Sequence, residues 1–246
     1  MQAFRAVVFD FIGTLTNVKD YSMEDSKKKL CKAIKTEGFK VDESCFLEAY
    51  SQAHEKYRVV RYQELVEVTN AVWISEALNN VGFRTSPDDS RIKTALNIFF
   101  KDYVKSFEFR PCVKELLKKA SARFKLCLIS NFTYAPVIYV GLRRLGINQF
   151  FNAVLVSADV GWRKPSERIF EEALRRLGIK AEETVYVGDS PLEDIKGAKA
   201  LRMRTVFVPS QFYSLEFLHE NHVAPDLIVK DICELHHKFE QFVGHI

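Results

Sequence analysis

The stretch RAVVFDFIGTLT, residues 5–16, carries the most information about the fold. Four mostly β-forming apolar residues lead into Asp10, and a Gly13-Thr14 turn follows. An aspartate at the end of a buried strand is unfavourable unless it has a partner or a function. At the carboxyl end of a parallel strand it would lie where open α/β sheets bind ligands. A turn aspartate that merely closes a strand is the alternative, and this segment alone does not decide between the two.

The rest of the chain alternates between strand-like and helical patterns. Apolar runs that predict strands occur at 4–10, 124–130, 153–157, 184–188 and 204–208, and helical patterns occur at 111–122, 136–145, 166–177 and 191–201. Such alternation predicts an α/β fold, with a parallel sheet flanked by helices on both faces.

Residues 17–105 break this alternation with amphipathic helical patterns at 23–38, 43–58, 61–81 and 88–105. We therefore predict an all-helical insert after the first strand. The expected domains are a core formed by 1–16 and 106–246, and an inserted helical domain formed by 17–105.

Composition excludes several classes of protein. The net charge is +4 and the basic residues are scattered among acids, which gives little support to nucleic-acid binding. No apolar run is long enough to span a bilayer, and no signal-peptide pattern opens the chain, so we expect a cytoplasmic protein. The five cysteines lack metal-site spacing and are odd in number, which predicts reduced thiols.

Three further segments place polar residues where a predicted strand or loop ends. Ser130 and Asn131 follow one strand and could donate hydrogen bonds to an anion, although an ordinary turn would look the same. Lys164 precedes Pro165 in a loop before a helix and could neutralise a phosphate or a carboxylate, although a solvated lysine is the simpler interpretation.

The third segment is GDSPLED, residues 188–194, at the end of the 184–188 strand. Glu193 and Asp194 could simply complement the dipole of the next helix. That explanation does not cover Asp189 at the strand end. Carboxylates gathered around one site suit magnesium, so we predict a Mg²⁺ site.

The four segments, in this order, resemble the haloacid dehalogenase-like hydrolase superfamily. The pattern DxxGTL at 10–15, Ser130-Asn131, KPxxxIF at 164–170 and GDxxxxD at 188–194 correspond to the four signature motifs of that superfamily. The resemblance covers nearly the whole chain. It implies a Rossmann-like core, and the helical insert resembles the helical cap of the superfamily.

The resemblance also implies roles for individual residues. Asp10 would be the nucleophile that forms a covalent aspartyl intermediate. Ser130 would bind an oxygen of the transferred group, Lys164 would neutralise charge, and Thr14 and Asn131 belong to the same catalytic motifs.

The metal site follows from the same resemblance. Asp189 would hold Mg²⁺ together with Asp10 and the backbone carbonyl of Ile12. Asp194 would support the metal ligands or orient Lys164. The implied activity is a phosphatase that acts on a small phosphorylated metabolite.

One position departs from the phosphatase pattern. Family phosphatases usually carry a second aspartate where this chain has Ile12, and general acid–base help of that kind is typically worth about 10²–10⁴-fold in rate. The 2-haloacid dehalogenases also lack that acid and work without metal, so a dehalogenase is an alternative. A non-catalytic binding protein is a second alternative. Asp189 and Asp194 favour the phosphatase, because adjoining acids need a cation to relieve their repulsion.

The helical insert would select the substrate. Arg58 and Arg61 could bind a small anionic substrate, although long cationic side chains on a helix are more often solvated. We expect no nucleic acid or membrane partner, and a monomer or a homodimer.

Overall fold

The computed structural model describes residues 4–244 of the chain. Six parallel strands form the main sheet in the order β5-β4-β1-β6-β7-β8. These strands are β1 (Ala6–Phe9), β4 (Lys125–Ser130), β5 (Ala153–Val156), β6 (Thr184–Gly188), β7 (Arg204–Phe207) and β8 (Leu227–Ile228). The predicted α/β fold is confirmed. Among the six strands of this sheet, only β8 was not predicted.

Helices cover both faces of this sheet. Val7 and Phe9 of β1 face one apolar cluster, whereas Ala6 and Val8 face the other. The first cluster contains residues of α6 (Val113–Ser121), α7 (Pro136–Leu145) and α12 (Ile232–Gly244), and the second contains residues of α9 (Glu167–Leu177) and α10 (Lys196–Ala200). Burial on both faces explains why the strands are almost continuously apolar.

The segment after β1 is helical, as predicted. It contains α1 (Met23–Thr36), α2 (Glu43–Glu64), α3 (Asn70–Asn80), α4 (Ser90–Phe99) and α5 (Lys101–Lys105). Two short strands, β2 (Thr16–Val18) and β3 (Phe107–Phe109), pair antiparallel where the chain enters and leaves this segment. The remaining short helices are α8 (Ser157–Val160) and α11 (Leu215–Glu220). The division into two domains stays a prediction.

The position that we predicted for the break between the second and third helices is wrong. We expected it between residues 58 and 61, but α2 continues to Glu64 and ends at Leu65, which has a left-handed backbone (φ 56°). The carbonyl of Leu65 accepts a hydrogen bond from the N–H of Arg163 at 3.0 Å, and the N–H of Glu67 donates to the carbonyl of Gly161 at 2.9 Å. Backbone pairing with a distant loop therefore ends the helix, and no local sequence signal marks it.

Two other predicted helices are subdivided. The pattern at 88–105 forms α4 and α5, and the pattern at 191–201 forms a wide turn over Pro191–Ile195 followed by α10.

The prediction of five reduced cysteines is wrong for two of them. Cys112 and Cys233 form a disulfide, with their Cα atoms 5.1 Å apart, that links the start of α6 to α12. Their separation of 121 residues hides the pairing, because only the packing of α12 against α6 brings them together. Cys31, Cys45 and Cys127 are free thiols.

Within residues 4–244, no helix combines the length and the apolar character that crossing a bilayer requires.

Candidate active site

Three neighbouring strands end at the candidate active site. Asp10 directly follows β1, Ser130 is the last residue of β4, and Asp189 directly follows β6. Because β4, β1 and β6 are adjacent and parallel, their carboxyl ends lie at one edge of the sheet. Lys164 reaches the same place from the loop between α8 and α9. The four predicted motifs therefore lie together.

Asp10 is buried and has one free carboxylate oxygen. Its Oδ1 accepts a hydrogen bond from the Nζ of Lys164 at 2.7 Å. Its Oδ2 is buried without a hydrogen-bond partner in the described part of the chain. Burial raises the pKa of Asp10 to about 6, the charge of Lys164 opposes this shift, and the charge of Asp194 adds to it. Since buried polar atoms normally have partners, Oδ2 is the atom that awaits an external one.

Lys164 is a buried cation held by two acids. Its Nζ donates to Oδ1 of Asp194 at 2.6 Å as well as to Asp10, and lies 3.2 Å from the hydroxyl of Tyr186. Burial alone would lower the pKa of Lys164, but the charges of Asp10 and Asp194 hold it well above its ordinary value. The side chain is therefore a fixed positive charge beside Asp10.

The backbone of Lys164 is held as firmly as its side chain. Asn131 accepts a hydrogen bond from the N–H of Lys164 through Oδ1 at 2.8 Å and donates to its carbonyl through Nδ2 at 2.9 Å. This two-way contact gives Asn131 a positioning role for Lys164.

Asp194 uses both carboxylate oxygens within the protein. Oδ1 accepts from Lys164 and from the Tyr186 hydroxyl, the latter at 2.9 Å. Oδ2 accepts from the N–H groups of Asp189 and Ser190 at 3.2 and 2.9 Å. Of the two roles expected for Asp194, these contacts favour the orientation of Lys164.

Asp189 is held by two hydroxyl groups. Thr14 donates to its Oδ1 at 3.3 Å and Ser210 donates to its Oδ2 at 2.6 Å. Burial raises the pKa of Asp189 well above its ordinary value, and the charges of Asp10 and Asp194 raise it further. Thr14 therefore helps to hold the carboxylate of Asp189 in place.

Two glycines allow the carboxylates to approach the strand ends. Gly13 has φ +101°, and a Cβ there would lie 2.1 Å from Oδ2 of Asp189. A Cβ on Gly188 would lie 2.5 Å from the side chain of Asp194. Any larger residue at either position would displace an acid.

The acids fit a divalent cation. Oxygens of Asp10, Asp189 and Asp194 lie within 4.8 Å of one another. Two of the three carboxylates, those of Asp10 and Asp194, contact the ammonium group of Lys164, and Asp189 has no such contact among the described residues, so the ionised cluster carries an excess of negative charge. Burial is the main cause of the raised pKa values of Asp10 and Asp189, and the charges of the neighbouring acids raise them further; a hard cation with oxygen ligands would relieve that repulsion.

A cavity of about 250 Å³ opens above the acids. Ser130, Asn131 and Ile12 line it together with the charged residues described above. Its remaining walls are formed by Tyr103, Phe132, Ser190, Glu193, Phe212 and Tyr213.

Neither Arg58 nor Arg61, which we expected to bind the substrate, is among the described residues that line this cavity. Both Nε and Nη2 of Arg58 donate to Glu55 on the exposed side of α2, each at 2.7 Å. Arg61 donates to Glu67 at 2.8 Å and has only 11% of its side chain exposed. Local ion pairs thus hold both arginines away from the acids.

A buried ion-pair network joins the helical segment to the Lys164 loop. The Glu67 side chain is fully buried and accepts from Arg61 and from Arg163, the latter at 3.4 Å. The hydroxyl of Ser157 also donates to Glu67. Arg163 reaches Glu193 at 3.3 Å, and Glu193 accepts in turn from Asn131. This network fixes the residue next to Lys164.

A family model described as haloacid dehalogenase-like hydrolase matches residues 7–208. The chain belongs to this family. Glyceraldehyde 3-phosphate phosphatase from Methanothermobacter thermautotrophicus is 40% identical over 121 residues, which are 49% of this chain and 53% of the relative. Phosphoserine phosphatase from Thermus thermophilus is 36% identical over 90 residues, which are 37% of this chain and 34% of the relative. The chain therefore spans about half or less of these relatives.

Solved structures of this family support the fold. A 2-haloacid dehalogenase from Pseudomonas syringae superposes with a TM-score of 0.70 at 22% identity, covering 97% of this chain and 99% of that one. The magnesium-bound hydrolase YfnB from Bacillus subtilis superposes with a TM-score of 0.57 at 19% identity, covering 96% and 98%.

Sequence reasoning missed several residues of the site. Ser210 follows β7, so the rule that located Asp10 and Asp189 could have found it. Tyr186 lies within β6 and Glu67 lies between two helices, and neither position has a local signal. Tyr103 and Phe212 read as ordinary aromatic residues until the fold brings them to the cavity.

Proposed function

We propose that the protein is a magnesium-dependent phosphatase that transfers the phosphoryl group of a small phosphorylated metabolite to Asp10 and then to water. The observation that carries this proposal is Oδ2 of Asp10, a buried carboxylate oxygen without a hydrogen-bond partner among residues 4–244, on an acid that lies close to Asp189 and Asp194. The phosphatase names of the relatives support the same conclusion.

The covalent step balances on Asp10. Its free oxygen attacks phosphorus, the new O–P bond replaces the ester O–P bond, and the leaving group departs as an oxyanion with the bonding electrons. Water then attacks the same phosphorus atom and breaks the Asp10 O–P bond, which restores the carboxylate and releases inorganic phosphate; the proton that the water gives up offsets the one that the oxyanion takes from solvent to become the alcohol. Ser130 lines the cavity and would donate to a phosphoryl oxygen. Lys164 holds Asp10 in place and stabilises negative charge.

The residues proposed to hold Mg²⁺ are Asp10, Asp189 and the backbone carbonyl of Ile12. When bound, the ion would polarise the phosphoryl group and offset its charge. Asp194 would act through Lys164, because its own oxygens are already hydrogen bonded.

Ile12 would make the acid step unusual. Its side chain lines the cavity and has no proton to give. Esters whose leaving group is stable as an anion should therefore react best. We further propose that residues 17–105 act as the cap over this site.

Hydrolysis of an aryl phosphate tests the proposal. We expect phosphate release that requires Mg²⁺, stops with EDTA and is lost in Asp10→Asn. Activity that survives EDTA, or an active Asp10→Asn variant, would contradict it.

The dehalogenase alternative has one observation in its favour, the apolar Ile12 in place of an acid. It also needs a cation to receive the halide, and the arginines expected to do so are engaged in ion pairs outside the cavity. Chloride release from 2-chloropropionate without metal would establish it. A non-catalytic protein would fail to trap beryllofluoride on Asp10. Cytoplasmic location and oligomeric state stay predictions.

A further inference from the structure

The walls of the cavity above Asp10 indicate what kind of alcohol the substrate carries. We propose that the substrate is a phosphate monoester of an aromatic alcohol without a second anionic group. This inference rests on the proposed phosphatase function and adds a substrate class to it. Three features of the cavity carry it: its aromatic walls, its charge and the residue at position 12.

One wall is a packed group of aromatic rings. Tyr103 of α5 stacks on Phe132, with ring centroids 5.6 Å apart and planes inclined by 30°. Phe107 meets Tyr103 edge-on at 5.2 Å, and Phe100 meets Phe132 at 5.4 Å. Neighbours on several sides fix these rings, so they present a preformed surface on which another ring could stack.

Another part of the cavity wall is a loop with two aromatic residues, which a hydrogen bond from Ser210 connects to Asp189. Ser210 donates to Asp189, and its own hydroxyl oxygen accepts from the N–H groups of Phe212 and Tyr213 at 2.9 and 3.2 Å. Phe212 is 49% exposed although it lines the cavity. Phe212 thus adds an apolar ring to the lining, on which an apolar group of the substrate could pack.

The charge of the cavity disfavours a second anionic group. Glu193 adds a carboxylate to the lining, with 24% of its side chain exposed. Lys164 is the one cationic side chain among the described residues that line the cavity, and two acids already bind it. Arg163 is only 4% exposed and is paired with Glu67 and Glu193. A second carboxylate or phosphate would thus meet an acid and no free cation.

The side chain of Ile12 points to the same class of alcohol by a separate route. A phenolate is a far more stable anion than an alkoxide, so it departs without the proton that an aspartate at this position would give. The volume of about 250 Å³ lies below the range usual for drug-sized ligands and suits a single-ring alcohol.

A matched substrate pair tests the proposal on the wild-type protein. We expect kcat/KM for phenyl phosphate to exceed that for 4-carboxyphenyl phosphate by at least about 10-fold at low salt, with the ratio falling as salt rises. The carboxylate makes the phenol a better leaving group, so chemistry alone predicts the opposite order. A ratio of one or less would overturn the inference while leaving the phosphatase function intact. No hydrolysis of either ester, nor of acetyl phosphate, would refute the function itself.

Inhibition by phosphonates separates recognition from leaving-group chemistry. Phenylphosphonate should inhibit at least about 10-fold more tightly than methylphosphonate in the wild type, and Phe212→Ala should reduce that preference, while Phe212→Tyr should keep it. Glu193→Gln should reduce the discrimination against 4-carboxyphenyl phosphate. Equal inhibition by the two phosphonates, or unchanged discrimination in Glu193→Gln, would overturn the inference. The wild-type comparisons decide it if a variant does not fold.

Discussion

Replacement of Gly188 by alanine tests how tightly Asp194 positions Lys164. A Cβ at this site would lie 2.5 Å from Cβ, Cγ and Oδ2 of Asp194, whereas ordinary contacts begin at 3.4 Å. The backbone of β6 accepts alanine without strain, so the clash falls on Asp194. The acid must move by roughly 1 Å, and misplacement of that size is worth about 10²-fold in rate. Such a shift would disturb the 2.6 Å contact between Asp194 and Lys164.

The assay is kcat on an aryl phosphate at saturating Mg²⁺, together with the melting temperature. We expect kcat to fall about 10²-fold in Gly188→Ala. Asp194→Asn provides the control through a double-mutant cycle, because both changes act on one contact and should not add. A Gly188→Ala protein with full kcat, or strictly additive losses in the double variant, would refute the reasoning.

Three other perturbations address separate parts of the structure. Ile12→Asp should raise kcat/KM for alkyl phosphates by about 10²-fold, and Ile12→Asn is the control that cannot act as a general acid. An unchanged rate in Ile12→Asp would count against the explanation that the wild type lacks an acid for the leaving group. Removal of the Cys112–Cys233 disulfide, by Cys112→Ser with Cys233→Ser, should lower the free energy of unfolding measured in urea by about 2–5 kcal/mol. Equal stability of the variant and the wild type would show that the disulfide does not stabilise the fold. Glu67→Leu should destabilise the fold by about 3–5 kcal/mol because Arg61 and Arg163, both largely buried, lose the acid that they share. Glu55→Leu on the exposed face of α2 is the control, and similar small losses in both variants would argue against the network.

The sheet and its chemistry were predictable because both follow from strand ends. An aspartate directly after an apolar run could also be a turn residue, but two of them, Asp10 and Asp189, after two strands of a parallel sheet favour a ligand site at its edge. Once the strands were placed, topology put Ser130 beside these acids, whereas Lys164, which lies in a loop, was assigned to the site only through the resemblance to the family. The glycines at 13 and 188 belong to the same motifs, and the structure adds the close approach that requires them.

The features that sequence reasoning missed depend on contacts between distant segments. Leu65 ends α2 because the loop at Arg163 pairs with it, and neither segment signals the other. Arg61 looked available for a substrate, yet Glu67 binds it only six residues later, after the helix has ended. Cys112 and Cys233 are joined only because two helices pack side by side. The local sequence pattern around a residue does not predict its contacts with segments that are distant in the chain.

Identification of the phosphorylated residue is the most direct test of the central claim. The enzyme would be quenched in acid during turnover of a ³²P-labelled aryl phosphate, reduced with borohydride and mapped by mass spectrometry. We predict ³²P on the acid-quenched protein, homoserine at position 10 alone once reduction has released the phosphate, and neither signal in Asp10→Asn. Turnover with no trapped phosphate at Asp10, or label on another side chain, would contradict the account.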